Sequence, residues 1–216
     1  VNNSGVVAAD VTGVGTARSN LEAAGYGGDK AIFGYGNSGS ASSLTNLVSN
    51  SGVVAADVTG VGTARYTLGA ADYGTDKAIF AFGTTGSVTN LSNLVSNSGV
   101  VAADVSGVGT ARNYLAAASY GGDKAIFGYG YAGGNVSMTN LVTNVGVVGT
   151  DVSGVGTARN NLSATGYGGD KAIFSFAGSS NSSTNLVNSS GVVASDITGV
   201  GTAREGASAA GYSFSA

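Results

Sequence analysis

Apolar residues fall along the chain in short runs, each closed by Gly, Asn, Ser or Asp, and the runs return in the same order at a near-constant interval. The segment Ser4-Gly5-Val6-Val7-Ala8-Ala9-Asp10 comes back with its Asp at Asp57, Asp104, Asp151 and Asp196, in steps of 47, 47, 47 and 45 residues. A second segment, Asp29-Lys30-Ala31-Ile32-Phe33, restarts at Asp76, Asp123 and Asp170, again 47 apart. Between the two lie Gly13-Val14-Gly15-Thr16-Ala17-Arg18 and a Tyr-Gly pair, and after them an Asn-Leu-Val segment such as Asn46-Leu47-Val48. Self-similarity at a period of roughly 20–50 residues marks a repeat architecture.

Short runs rich in Val, Ile, Phe, Tyr and Ala between turn residues predict strands. Each unit supplies four: a over residues 21–26, b over 30–35, c over 44–48 and d over 5–11. Strand b, Lys30-Ala31-Ile32-Phe33-Gly34-Tyr35, is apolar on both faces, which predicts sheets covered on both sides rather than a sandwich with one wet face. Strand a is the ambiguous element, because residues 18–24 and their copy 112–118 can also make two turns of helix.

A four-stranded unit of this length is the size of one blade of a β-propeller. The order Arg18, Leu21-Glu22-Ala23-Ala24, Gly27-Gly28-Asp29-Lys30-Ala31-Ile32-Phe33-Gly34-Tyr35-Gly36, Thr45-Asn46-Leu47-Val48 and the next Arg65 resembles a kelch repeat over essentially the whole chain. The resemblance is distant: Tyr35 splits the paired glycines and the outer Trp of kelch blades is absent. The near-identical, low-complexity units also resemble repeat arrays in virion and tail proteins of phages that infect aquatic bacteria. The expectation is an all-β fold, a single β-propeller domain of five blades, with units at 18–64, 65–111, 112–158 and 159–203 and a fifth split between 1–17 and 204–216. The resemblance implies a terminal clasp between residues 1–11 and 205–216. The fifth blade lacks strands b and c, so upstream residues, another chain or a rearrangement completes it. An open β-solenoid is the competing geometry.

Charged residues make up only 10% of the chain, against about a quarter in ordinary globular domains. With nine basic and twelve acidic residues and no basic run, nucleic acid is excluded as a partner. No apolar stretch is long enough to span a bilayer, so membrane insertion is not expected. The chain starts at Val1 without a secretory pattern, which reads as a processed chain or a fragment. Without His or Cys there is no serine or cysteine triad and no common zinc site, and neither a cofactor nor a metal is expected.

All nine cations and nine of the twelve acids sit in repeat slots; only Glu22, Asp72 and Glu205 do not. Residues copied once per unit point to structure rather than catalysis. The constant spacing suggests inter-blade ion pairs Asp10–Arg18, Asp57–Arg65, Asp104–Arg112, Asp151–Arg159 and Asp196–Arg204. The competing reading is a ring of Arg or Asp around a central channel that binds an ion.

Variation concentrates in the b–c loops and in the pair after each Arg. In an up-and-down blade these emerge on one end, and variable loops on a rigid scaffold are where contact surfaces lie. Tyr66, Tyr114, Tyr131, Asn37, Asn113, Asn135 and Asn160 form the candidate binding face, suited to a protein or glycan surface, although loops free to drift would look the same. The function expected is a non-catalytic structural or binding module, extracellular or on a virion or cell surface, acting in attachment or assembly, with a larger assembly or a missing upstream segment as the further expectation. A secreted carbohydrate-binding lectin and a hydrolase or lyase with its site in the central channel are the alternatives.

Overall fold

The structure is a computed structural model that describes residues 6–177 and 181–211. It is all-β, with no helix among the described residues, and holds four three-stranded antiparallel sheets. They are β1 (Glu22–Tyr26), β2 (Lys30–Gly34) and β3 (Thr45–Val48); β4 (Gly69–Tyr73), β5 (Lys77–Ala81) and β6 (Ser92–Val95); β7 (Ala116–Tyr120), β8 (Lys124–Gly128) and β9 (Thr139–Val142); and β10 (Ser163–Tyr167), β11 (Lys171–Ala177) and β12 (Asn181–Val187). Strands a, b and c thus form where expected, and strand a is extended rather than helical in all four units.

Register is the same throughout. Tyr26 faces Lys30 and Ala24 faces Ile32 across a tight turn, while Ile32 faces Leu47 on the other side. The sheets pack in chain order through their first strands: β1 lies against β4, β4 against β7 and β7 against β10. Backbone bonds stitch each sheet to the next, from Gly27 N to Asp76 O, Gly74 N to Asp123 O and Gly121 N to Asp170 O, all at 2.7 Å.

The doubly apolar strand b has a direct explanation in this packing. Ile32 shares a cluster with Phe80 of the following unit, and Ile79 with Phe127 of the unit after that, so Ile points toward the next sheet and Phe toward the preceding one. The two inner strands b, β5 and β8, therefore each fill two cores at once. Gly34 eases this approach, because a β-carbon there would stand 2.7 Å from the Phe80 ring unless the ring shifted.

The fourth strand differs from expectation. Segment d pairs with β3 only through two isolated bridges, Val48–Val54 and Thr45–Val58, and the same two recur in the other units. Five residues on one side oppose four on the other, as in a bulge. The extra residue has a reason: Asn46 Nδ2 donates to Ala55 O at 3.1 Å and to Asp57 Oδ1 at 2.9 Å, so a side chain takes the place of the ladder between the bridges. Of the first copy of d, residues 7–11 are exposed and carry no strand assignment, and residues 206–211, the expected last strand a, carry none either. Residues 1–5, 178–180 and 212–216, which contain parts of the expected clasp and of the last b–c loop, lie outside the described residues.

Replacing Phe127, fully buried between two sheets, by Ala is expected to cost about 3–5 kcal/mol in urea denaturation. Phe33→Ala, at the equivalent but 38% exposed position, is expected to cost less than half as much.

Candidate functional site

Three features bear on function: the arginines between the sheets, the cavities along the first strands, and the loops at one end. The arginines are positioned by the residue that ends strand b. Tyr35 adopts φ +63°, as do Phe82 (+64°), Tyr129 (+63°) and Phe176 (+57°) at the same place. A left-handed aromatic residue is a costly conformation, held here by burial, since Tyr35, Phe82 and Tyr129 are fully enclosed. The turn swings each ring toward the next unit. There Arg65, Arg112, Arg159 and Arg204 place Cζ 4.3, 4.1, 4.2 and 4.4 Å from the centroids of Tyr35, Phe82, Tyr129 and Phe176. The same rings meet the next sheet's phenylalanine, Tyr35 on Phe80 at 5.2 Å, Phe82 on Phe127 at 5.5 Å and Tyr129 on Phe174 at 5.2 Å.

The arginines do tie neighbouring units, but not through the acids expected. Arg18 pairs with Asp57 at 3.4 Å, Arg65 with Asp104 at 3.9 Å and Arg159 with Asp196 at 3.7 Å, that is, with the Asp at the far end of their own unit. Among the described residues none of the proposed pairs Asp10–Arg18, Asp57–Arg65, Asp104–Arg112, Asp151–Arg159 or Asp196–Arg204 forms an ion pair; the guanidinium lies toward the preceding ring, and the Asp eight residues before it is turned to the segment that opens its own unit. Asp57 accepts from Thr16 N at 2.9 Å and Thr16 Oγ1 at 2.7 Å, bonds repeated by Thr63 on Asp104, Thr110 on Asp151 and Thr157 on Asp196. The Thr16 hydroxyl, then Asn46, hold the Asp57 carboxyl down at about 2.

Two hydrogen-bond settings occur around these arginines. Arg65 donates from Nε to Phe82 O at 2.9 Å, and Arg112 does the same to Tyr129 O at 2.8 Å, leaving Asn93 Oδ1 and Asn140 Oδ1 without a partner. Arg18 and Arg159 instead donate from Nη2 to Asn46 Oδ1 at 2.5 Å and Asn185 Oδ1 at 2.6 Å, and leave their own Nε unpaired. Neither setting satisfies every buried atom. Burial lowers the affinity of the Arg112 guanidinium for its proton, to about 10.

The cavity along the first strands has neither Arg nor Asp in its lining, unlike the ring of the competing reading. This cavity, of about 280 Å³, is lined by the first residue of each first strand, Glu22, Gly69, Ala116 and Ser163, together with residues 207–209. Ser163 Oγ donates to Ala207 O. At its mouth stand Asn20, Thr67, Tyr114, Asn161 and Gly206, all with left-handed backbone at φ 51–63°. They are chained by bonds from Thr67 N to Asn20 O, Tyr114 N to Thr67 O and Asn161 N to Tyr114 O. A second cavity of about 340 Å³ holds Asp72, whose Oδ1 accepts from Ser119 Oγ at 2.6 Å, with Tyr120, Tyr167 and Gly211. Two of the three acids outside the repeat slots thus line these spaces and the third, exposed Glu205, adjoins Gly206. Glu22 and Asp72 line separate cavities. Desolvation raises the half-buried Glu22 carboxyl to about 7. Their isolation from the repeat pattern was the only signal of them in the sequence.

The loop residues are brought together as expected in part. Backbone bridges join the residue after Arg18, Arg65 and Arg112 to the b–c loop, Ser19 to Asn37, Tyr66 to Thr84 and Asn113 to Tyr131. Asn160 Nδ2 donates to Asn135 Oδ1 at 2.8 Å across two units. Tyr114 and Tyr131 are exposed, Asn37 and Tyr66 are partly covered, and Asn113 is buried, so Asn113 serves the scaffold rather than the surface. No grouping of three or more acidic side chains able to hold a metal occurs among the described residues. No helix among them is long and apolar enough to cross a membrane. No protein-family model matches the chain, and the curated proteins contain no match to it.

Arg112→Met, which removes the bonds to Tyr129 O and Thr110 O and the contact with the Phe82 ring, is expected to destabilise by about 2–4 kcal/mol in chemical denaturation. An unchanged unfolding midpoint would show that the wedge contributes nothing. Glu22 supplies a pH signature of opposite sign to that of the aspartates. Its folded carboxyl holds its proton up to about 7 against an ordinary 4.5, so its contribution is complete below 4.5 and is lost as pH rises through 7. Relative to Glu22→Gln, the native chain is expected to lose melting temperature between pH 4.5 and 7.5. The Asp57 contribution is present above 3.8 and fades as pH falls toward about 2.

Proposed function

We propose that the chain is a non-catalytic β-propeller module of kelch-like plan that attaches or assembles through the polar loops at one end. The observation that carries the reading is that identical backbone bridges display different side chains at equivalent places: Ser19 with Asn37, Tyr66 with Thr84 and Asn113 with Tyr131. A frame held constant while its exposed groups vary suits recognition of a partner surface. The radial arrangement draws support from the axial cavity. Layers stacked as an open solenoid stand about 10 Å apart, placing the first and fifth about 40 Å from each other. One space of about 280 Å³ touching Glu22, Gly69, Ala116, Ser163 and Ala207 favours segments gathered around an axis. Gly206 repeats the left-handed backbone of Asn20, Thr67, Tyr114 and Asn161, and Arg204 the ring contact of Arg65, Arg112 and Arg159, which supports a fifth position.

A non-catalytic role is favoured by separate carboxyls and by polar groups copied in every unit. The exposed Tyr114 and Tyr131 hydroxyls and the Asn135–Asn160 pair offer aromatic faces beside amide donors and acceptors. The test is a panel of immobilised polysaccharides, glycans and cell-surface fractions, assayed for retention and for turnover. Retention without turnover is expected, and Tyr114→Ala with Tyr131→Ala should weaken it at least tenfold without moving the melting temperature. Release of soluble product from any polysaccharide, abolished by Glu22→Gln, would replace this reading with a hydrolase or lyase; retention confined to one sugar, and unaffected by both tyrosine changes, would replace it with a lectin using other loops.

A further inference from the structure

The first strands gather three chemically different layers around one opening. Asn20, Thr67, Tyr114, Asn161 and Gly206 form its polar mouth; Leu21, Leu68, Leu115 and Leu162 follow, and then Glu22 beside Ser208. The space continues between Gly69, Ala116 and Ser163, residues too small to fill it. The mouth, of about 220 Å³, and the cavity of about 280 Å³ share Glu22, Leu115, Leu162, Ala207 and Ser208, so they form one well. Its walls come from all four sheets and from residues 206–209. The described chain comes to the sheets through Thr16, bonded to Asp57 on the fourth segment. It ends at Gly211, which adjoins Gly166, toward the other end of β10 from Ser163 and Ala207.

Glu22 is the one charge in the lining, standing where the other units place Gly69, Ala116 and Ser163. It makes no hydrogen bond or ion pair with any described residue. Gly34 lies opposite it across the sheet, and β4, β7 and β10 bring only Gly, Ala and Ser side chains to its level. Tyr114 at the mouth is the other titratable side chain of the walls, and exposed Glu205 precedes Gly206 outside them. A carboxylate taken from water without a partner costs stability, so a well that keeps one is completed by a cation from outside.

The layers select the form of that cation. Glu22 is two residues below the mouth, about 7 Å at roughly 3.3 Å per extended residue, with leucines lining the interval. A flexible four-carbon stem ending in a compact charge matches both the depth and the apolar collar. Each first strand pairs on one side only, which leaves main-chain carbonyls for the ammonium hydrogens that Glu22 does not take.

We infer that this well binds one primary alkylammonium group, from a lysine side chain of a partner protein or a free aliphatic diamine, with the ammonium on Glu22 and the methylene stem between the leucines. The inference deepens the attachment reading above and rests on it for the loop end as the contact face. The complex requires the ionised carboxylate. Glu22 holds its proton up to about 7, whereas a lysine-type amine stays charged to about 10. Binding is therefore complete above 7, weakens as pH falls through 7, and releases a proton where it occurs near pH 6.

The test titrates Nα-acetyl-lysine methylamide and 1,4-diaminobutane into the full chain by calorimetry, in two buffers of different ionisation heat. One ligand per chain is expected, bound at least tenfold more weakly at pH 5.5 than at pH 7.5. The Nε-acetylated compound and the Glu22→Gln chain should each weaken binding at least tenfold, the variant without loss of melting temperature because it removes an unpaired charge. Proton release near pH 6 should occur with the native chain and vanish in Glu22→Gln. Tighter binding of the lysine compound assigns the ligand to a protein, and tighter binding of the diamine assigns it to a free polyamine. No saturable binding, equal binding by Glu22→Gln, or a tighter complex with Nα-acetyl-arginine methylamide overturns the inference. Retention on the surfaces tested above without ammonium binding sinks the well alone, whereas ammonium binding without retention on any surface sinks the attachment reading alone.

Discussion

The sheets are held in sequence by a guanidinium lying on an aromatic ring that belongs to the unit before it. Everything else in the packing follows from getting that ring into place. It requires Tyr35, Phe82, Tyr129 and Phe176 to sit at positive φ, a conformation aromatic residues avoid. For Tyr35, Phe82 and Tyr129 the turn exchanges backbone strain for complete burial of a large side chain, an Arg contact from above and a Phe contact from the side. Cation and ring are both desolvated, which strengthens their attraction and makes loss of either one expensive.

Around this wedge the polar network is almost, but not fully, satisfied. An Arg whose Nε reaches the carbonyl at the end of its unit's strand b abandons an Asn oxygen, and one that reaches the Asn abandons its own Nε–H. The two settings cost each unit one unpaired buried atom, so neither dominates along the array. The aspartates stand outside this exchange. Each is bonded to a Thr hydroxyl and backbone N–H from the segment that leads into the unit, which clamps the connection between repeats and explains why a short Gly-Thr stretch can be both glycine-rich and fixed in place. A β-carbon on Gly15 would lie 2.5 Å from Asp57 Oδ1, so the clamp itself requires the glycine.

Repetition makes the departures from it informative. The first and last units expose what the inner units bury: Phe33 and Ala23 at one side, Ile173 at the other. The acids that belong to no repeat slot, Glu22 and Asp72, line the spaces along the first strands, where the surrounding positions are Gly, Ala and Ser. A structural array thus carries its individuality in two places, along its inner strands and on its loops.

Period, strand positions and the doubly apolar strand b were legible from residues alone, because hydrophobic runs between turn formers and a 47-residue recurrence reflect local propensity and burial. The recurrence of Asp and Arg at constant spacing also pointed to a structural role for them. It could not say which Asp meets which Arg: residues eight apart in the chain are close in sequence, but the strands between Arg18 and Asp57 fold back and bring the distant acid nearer. The broken fourth strand was hidden for a similar reason, since Val53-Val54-Ala55-Ala56 reads as a strand and only the Asn46 side chain, arriving from across the sheet, interrupts it. Local pattern fixes which segments extend and which turn; which face meets which, and therefore which ring lies open and which carboxyl is dehydrated, is decided only when the units are packed against one another.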